Sequence, residues 1–352
     1  MSQKYILHYG SLAGMSFKIS EACKKIGYDA KNLILCDRDV DDLSRKLPYH
    51  ESIFNNNDKA LNKALSIYKA LKKISNEASL IHYFGANIFF REAHFLYEGP
   101  LMRKNNIPML ITFGGSDIRI PRIAKNKNKY FKYFYKEDSK LWEKQLRLRC
   151  WSMSKFIDNA VVDPEMLDYI SGSFKRLYPF RQPVDIEVFP LIERKNDIPV
   201  ILHIPTSPKL KGTEYVIKAI DQLKKEGYKF KFILKRQLTQ IQVYDELKKA
   251  DIYVDELRCG SHGVTSVEAM AAGCAVITYI RDDLINKYPK ELPIISANIE
   301  TIYIKLKKLL NNYNFYKELG IKGKDYAKKY HCSNIVAKQL VDIYEDIWST
   351  NN

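Results

Sequence analysis

Apolar positions along this chain follow two rhythms. Nearly unbroken apolar runs recur at residues 5–9, 32–36, 80–84, 107–113 and 160–162, and again at 200–204, 229–234, 252–254 and 274–279. Such runs predict strands buried on both faces, as in parallel sheets. Between them, apolar residues return at helical spacing. Phe17, Ile19, Cys23 and Ile26 precede a helix-stopping Gly27. Leu61, Leu65, Tyr68 and Leu71 share one face of a helix predicted over 61–74, and another helix follows Gly85 through Tyr97. Thr213 reads as the cap of a helix whose Val216, Ile220 and Leu223 share a face, and 243–250 reads as a further helix. Residues 300–348 read as helical, with a break near Gly320 and Gly323. Strands alternating with helices predict βαβ units. The alternation is interrupted once, by the polar, proline-containing passage 179–199, which reads as a linker between two α/β lobes.

The second lobe contains the stretch RCGSHGVTSVEAMAAGCAVITY, residues 258–279. Gly260 and Gly263 let the backbone approach a ligand closely. Thr265 and Glu268 have capping-box spacing, which predicts a helix starting there with exposed amides. A helix start after a glycine-rich loop is a natural anion site. Gly273 ends the helix, and the buried strand 274–279 follows. Loops feeding a helix start beside a strand end are where open α/β sheets bind ligands.

Composition narrows the partners. The chain has 352 residues and a formal net charge of +16, distributed unevenly. Residues 119–149 carry eleven Lys or Arg against Glu137, Asp138 and Glu143, a net of +8, interleaved with Tyr130, Phe131, Tyr133, Phe134, Tyr135 and Trp142. A basic-aromatic segment of this kind predicts an anionic membrane surface as partner. It lacks any recognised nucleic-acid module, so no nucleic-acid partner is expected. No apolar run approaches a membrane span, and the N-terminus has no signal-peptide cleavage site. Six cysteines without a CxxC pair predict free thiols in a reducing cytoplasm. No His, Cys or Asp cluster has metal-ligand spacing, and neither a GxSxG elbow nor a Walker loop is present. Residues 10–14 do not match GxGxxG. No metal and no cofactor are therefore expected. His8 and His82 fall near predicted strand ends facing the cleft.

Taken together, the motifs resemble the large retaining family of GT-B glycosyltransferases that use nucleotide-sugars. The resemblance rests on HGVTSVEAMAAGCAVITY (262–279), HIPTSPKLKGT (203–213), ITFGGSDIR (111–119) and Pro183-Val184-Asp185. It implies two Rossmann-like domains facing across a cleft: 1–182 for the acceptor, a linker 183–199, 200–330 for the donor, and a closing helix 331–352 that crosses back with Trp348 as anchor. Glu268 matches the glutamate on the donor ribose, Lys211 the lysine on the leaving diphosphate, and the backbone of Val264 and Thr265 the diphosphate contact. Gly263, Thr206, Lys209, Lys235, Arg236 and Gly14 complete the expected donor site; His82, Asp117 and His262 are the catalytic candidates. The chain departs from the family pattern at Gly260, where many members carry a second glutamate, at Thr206, where many have arginine, and at Gly114, where histidine is common.

The implied activity is transfer of a sugar from a nucleotide-sugar to a glycan or lipid-linked acceptor, with retention. It implies a cytoplasmic protein, peripheral on the inner face of the cell membrane, in cell-surface polysaccharide or glycoconjugate synthesis. The three departures leave open a catalytically degenerate scaffolding subunit; a nucleotide-sugar epimerase on the same fold is a third reading.

Overall fold

The computed structural model describes residues 4–37, 45–86, 88–133, 140–170, 172–190, 196 and 198–351. Phe134, Tyr135, Glu137 and Asp138 of the basic-aromatic segment, and linker residues 191–195 and 197, lie outside the described residues. The first sheet contains β1 (Tyr5–Tyr9), β2 (Ala30–Cys36), β3 (Glu51–Phe54), β4 (Ala78–Phe84), β5 (Met109–Thr112), β6 (Asn159–Val162) and β7 (Arg176–Pro179). Their spatial order is β3-β2-β1-β4-β5-β6-β7, and every pairing is parallel. The second contains β8 (Val200–His203), β9 (Lys231–Leu234), β10 (Ile252–Val254), β11 (Ala275–Thr278) and β12 (Ile294–Ser296), in the order β12-β11-β10-β8-β9, again all parallel. β1, β5, β6, β8, β10 and β11 are buried at every position, which is why their sequences read as apolar runs.

Each sheet reverses its winding once, between β1 and β4 and between β8 and β10. Crevices at such reversals, beyond the carboxyl ends of the strands, are where open α/β sheets take ligands. Gly10 shows how tight the first one is. It has φ +106°, and a Cβ there would come within 2.3 Å of the Phe84 carbonyl oxygen.

The first lobe's helices include α1 (Met15–Lys25), α2 (Ala60–Glu77), α3 (Glu98–Lys104), α4 (Pro121–Lys127) and α5 (Lys140–Ser154). Those of the second include α6 (Thr213–Lys225), α7 (Gln240–Lys249), α8 (Val264–Ala271), α9 (Ile302–Leu310), α10 (Tyr313–His331) and the closing α11 (Ser333–Asn351). Several differ from expectation. On α2, Leu61, Leu65 and Tyr68 are exposed, and Leu71, Ile74 and Ser75 carry the buried contact. The helix predicted up to Tyr97 is instead a short 3-10 stretch, Arg91–Leu96, followed by α3. Gly212, not Thr213, caps α6, and the Thr213 hydroxyl bonds His203 at 2.9 Å. Gly320 and Gly323 break nothing. They lie within α10 where it crosses α8: a Cβ at Gly320 would come within 2.3 Å of the Gly273 oxygen, and one at Gly323 within 3.4 Å of Met270. The break falls at Cys332, which bridges Val184.

α11 packs on the first lobe against α1, and the Trp348 indole donates to the Ser79 carbonyl at 3.0 Å. Its Tyr344 hydroxyl sits between two histidines paired across β1 and β4, 3.1 Å from His8 Nε2 and 2.7 Å from His82 Nδ1. His8 reaches Ser20 on its other side at 2.7 Å, and His82 reaches Thr112 at 2.9 Å. Both rings are fully buried. Sequence placed them at the cleft wall; the structure places them in the core, as the anchor of the closing helix.

Candidate active site

A cavity of about 370 Å³ lies between the lobes where the two reversals face each other. The first lobe contributes Ser11, Leu12, Ala13, Arg45, Leu47, Phe84, Gly85, Ser116 and Asp117; the second contributes Thr206, Gln240, Val264, Thr265 and Glu268. A smaller chamber of about 140 Å³ adjoins it, walled by residues 204–206, 236–238, Val243 and Arg45. Arg45 and Thr206 line both. A backbone hydrogen bond from Gln240 N to the Arg45 carbonyl, 3.0 Å, closes one edge of the cleft.

The cavity floor is the start of α8. Its N-cap is Gly263, without a side-chain cap, so Thr265 and Glu268 form no capping box. The amides of the first turn therefore face the cavity unfilled by a side chain, beside the positive end of the helix dipole. Glu268 is 2% exposed. Its Oε1 accepts from the Tyr244 hydroxyl of α7 at 3.1 Å and from the Lys18 ammonium of α1, in the opposite lobe, also at 3.1 Å. Burial and the facing Glu268 carboxylate push the Tyr244 phenol far above its ordinary range, so it stays a donor.

Lys211 sits otherwise than a solvent-facing cation would. It is buried, bonds Asp255 Oδ1, and lies 3.3 Å from Glu256 Oε1. Burial alone would lower the ammonium's pKa, but the two carboxylates outweigh it and hold it well above the ordinary lysine value. Asp255 also accepts from Ser266 at 2.5 Å. Lys211 is outside the cavity lining, and so are Lys209, Lys235, Gly263 and Gly14. Lys235 pairs with Glu246 at 3.0 Å; Gly14, with φ +74°, begins α1 directly behind the lining residues 11–13. Arg236 lines the smaller chamber.

Among the catalytic candidates, the cavity brings in Asp117 alone. Its Oδ2 accepts from the Gly114 amide at 2.8 Å, and its carbonyl accepts from Arg149 at 3.2 Å. His82 is in the core. His262 is 3% exposed and packs tilted against Tyr288 (4.7 Å) and edge-on to His331 (5.8 Å), with burial pulling its pKa down to about 4. Position 260 explains itself sterically. Gly260 has φ +89°, and a Cβ there would meet Arg281 Cγ at 2.5 Å. Arg281 occupies that space because it crosses to Asp168 of the first lobe at 2.7 Å.

The basic-aromatic segment divides in two. Its first half is an interlobe bridge, not a free surface. Arg119 grips Glu165 through two bonds, 2.7 and 2.9 Å, and Glu165 accepts from Ser261 at 2.8 Å. Asn128 donates to the carbonyls of Arg258 and Cys259 at 2.7 and 2.8 Å, and Tyr130 and Lys129 reach Glu300. Among the described residues, the segment's exposed apolar and basic face lies on α5.

Sequence reasoning did not find Lys18, Arg45 or Tyr244. Each is an ordinary helix or loop residue in its own segment, and only tertiary packing carries Arg45 to the cavity wall and Lys18 and Tyr244 to Glu268.

No protein-family model matches the chain. Uncharacterized glycosyltransferase MJ1178 of Methanocaldococcus jannaschii is 23% identical over 371 residues, covering 97% of each chain. Among solved structures, sucrose-phosphate synthase of Thermosynechococcus elongatus superposes with a TM-score of 0.65 at 13% identity, over 99% of this chain and 100% of that one. Anabaena HepE in complex with UDP-glucose superposes with a TM-score of 0.63 at 11% identity, over 97% and 99%. The chain thus has the two-domain α/β architecture of the GT-B fold.

Proposed function

We propose that the chain is a glycosyltransferase that draws its sugar from a nucleotide-sugar held on the second lobe and transfers it with retention of anomeric configuration. The observation that carries this reading is Glu268: a buried carboxylate, free of any capping role, opening on the interlobe cavity beside uncapped amides at a helix start. A carboxylate accepts from the ribose hydroxyls, and the amides of Val264 and Thr265 take the diphosphate. The adjoining chamber suits a flat base. HepE is crystallised with UDP and with UDP-glucose, so uridine nucleotides are the first donors to test. Because Lys211 is spent on Asp255 and Glu256, Arg45 is the cation that faces the phosphates from beside Thr206. In the transfer, the bond from the anomeric carbon to the donor phosphate oxygen breaks. The acceptor hydroxyl attacks on the same face and its proton passes to the leaving phosphate oxygen, while Asp117 orients that hydroxyl.

The acceptor is a glycan or lipid-linked glycan approaching from the first lobe. α5 supports this. Leu141, Leu148 and Trp151 are exposed at helical spacing, flanked by the exposed Lys140, Lys144, Arg147 and Lys155. Arg149 ties this helix to Asp117 at the cavity. Among the described residues no helix is long and apolar enough to cross a membrane, so attachment through α5 is peripheral. This fits work on cell-surface polysaccharide or glycoconjugate at the inner face of the membrane.

A donor-binding subunit without transferase activity is the competing reading, motivated by the Arg281 side chain filling the space at Gly260. A thermal-shift panel of nucleoside diphosphates and nucleotide-sugars tests donor binding, since a selective ligand at a hundred times its Kd stabilises by about 2.7 kcal/mol. Donor hydrolysis or sugar transfer by the purified chain excludes the binding-only reading, and a flat response across the panel overturns both.

A further inference from the structure

The Glu268 carboxylate is asymmetric. Oε1 is engaged by the protein twice, by Tyr244 of its own lobe and Lys18 of the other, each at 3.1 Å. Oε2 has no hydrogen-bond partner among the described residues, and Glu268 lines the cavity. The Lys18–Glu268 pair is nearly sealed from water, with side-chain exposures of 9% and 3%. The ammonium also lies 5.7 Å from the centroid of the Tyr244 ring, so carboxylate, phenol and ammonium form one packed triad.

The pair spans the lobes. Lys18 belongs to the second turn's edge of α1, just behind the Ser11–Ala13 wall of the cavity, whereas Glu268 and Tyr244 belong to the second lobe. Opening the cleft withdraws Lys18 and leaves a buried carboxylate held by one hydroxyl. A single hydroxyl restrains the carboxylate less than two donors converging on the same oxygen, and the buried negative charge loses its counter-ion.

We propose that Lys18 is a positioning residue for the donor: by fixing Oε1 across the cleft, it aims Oε2 at the vicinal hydroxyls of the ribose and makes their recognition depend on lobe closure. The proposal rests on the reading of Glu268 as the ribose acceptor. It assigns the first lobe an indirect part in recognising the nucleoside, through a residue that touches the acceptor of the hydrogen bond and not the ligand.

The test is a set of dissociation constants by calorimetry for UDP and for 2′,3′-dideoxy-UDP, measured on wild type, K18M, K18R, E268Q and K18M/E268Q. K18M should weaken UDP about tenfold and leave the dideoxy analogue unchanged. K18R should restore most of the UDP affinity. The double variant should bind UDP no worse than E268Q alone, because both changes remove the same interaction. A purely structural lysine would lower the melting temperature and weaken both ligands alike, which overturns the proposal. K18M binding UDP more tightly than wild type also overturns it, since Lys18 would then compete with ribose for Glu268. If E268Q weakens UDP but K18M does not, only the role of Lys18 falls; if E268Q leaves UDP untouched, the ribose assignment falls with it.

Discussion

At the scale of single residues, the second lobe's acidic pair and its lone Glu268 divide the work. Asp255 and Glu256 neutralise Lys211, and Glu268 is left to face the cavity. Removing one partner of a buried ion pair leaves uncompensated charge and typically costs about 3–5 kcal/mol. K211M should therefore lower the unfolding free energy by about that much in urea titration, while the folded fraction keeps its nucleotide affinity. Unchanged stability with lost nucleotide binding would return Lys211 to the phosphates. The sequence made Glu268 legible because its neighbours form a contiguous motif, from Gly263 to Gly273. Lys18, Arg45 and Tyr244 carry no such signal: a lysine on an amphipathic helix, an arginine in a loop and a tyrosine on another helix meet only in three dimensions. The capping box misled for a related reason. Thr265 and Glu268 have its spacing, but the N-cap falls two residues earlier, at Gly263, and Glu268 finds its partners in Tyr244 and Lys18.

At the scale of elements, the central strands were legible, and of the four edge strands only β9 was, through the run 229–234. β1, β5, β6, β8, β10 and β11 are covered on both faces and spell apolar runs; β3, β7 and β12 lie at or next to sheet edges, half exposed, and have no such signature. The basic-aromatic segment is one stretch in sequence and two parts in structure, because Tyr130 and Phe131 are buried at the lobe joint while α5 presents one exposed face. If α5 is the membrane face, the protein should float with liposomes containing anionic phospholipid and not with zwitterionic ones. A Leu148→Glu/Trp151→Glu variant should lose at least most of that binding, as a charge replaces each inserted side chain, with nucleotide affinity retained. Equal flotation of wild type and variant would remove α5 from the membrane.

At the scale of the whole molecule, the lobes are joined by charge and the closing helix by buried imidazoles. Burial pulls His8 and His331 to about 3 and His203 and His262 to about 4, from an ordinary value of 6.5, and holds His82 well below it. The unfolded chain takes up protons that these folded rings refuse. Their contribution is thus complete above pH 6.5 and falls as the pH drops toward 3–4, by about 1.4 kcal/mol per ring for each pH unit. Asp163 acts in the opposite sense: burial raises it to about 6 from 3.8, so its share is complete below 3.8 and lost as the pH rises through 6. One carboxyl against five rings leaves a net loss in acid. The melting temperature should fall steeply between pH 6.5 and 5, because unfolding frees His8 and His82 from Tyr344 and lets them take up the protons that the folded rings refuse. A melting temperature constant over that range would contradict the buried, neutral assignment of these rings.

The central claim is that the cavity beside α8 binds a nucleotide-sugar through Glu268. Its most direct test is equilibrium binding of UDP to wild type and to E268A, chosen over turnover because it needs no knowledge of sugar or acceptor. The account predicts saturable binding to wild type and affinity weakened at least about tenfold in E268A, the loss of roughly 1.4 kcal/mol expected for a charged hydrogen-bond acceptor. Equal affinity of the two proteins for the nucleotide that binds wild type best would contradict it.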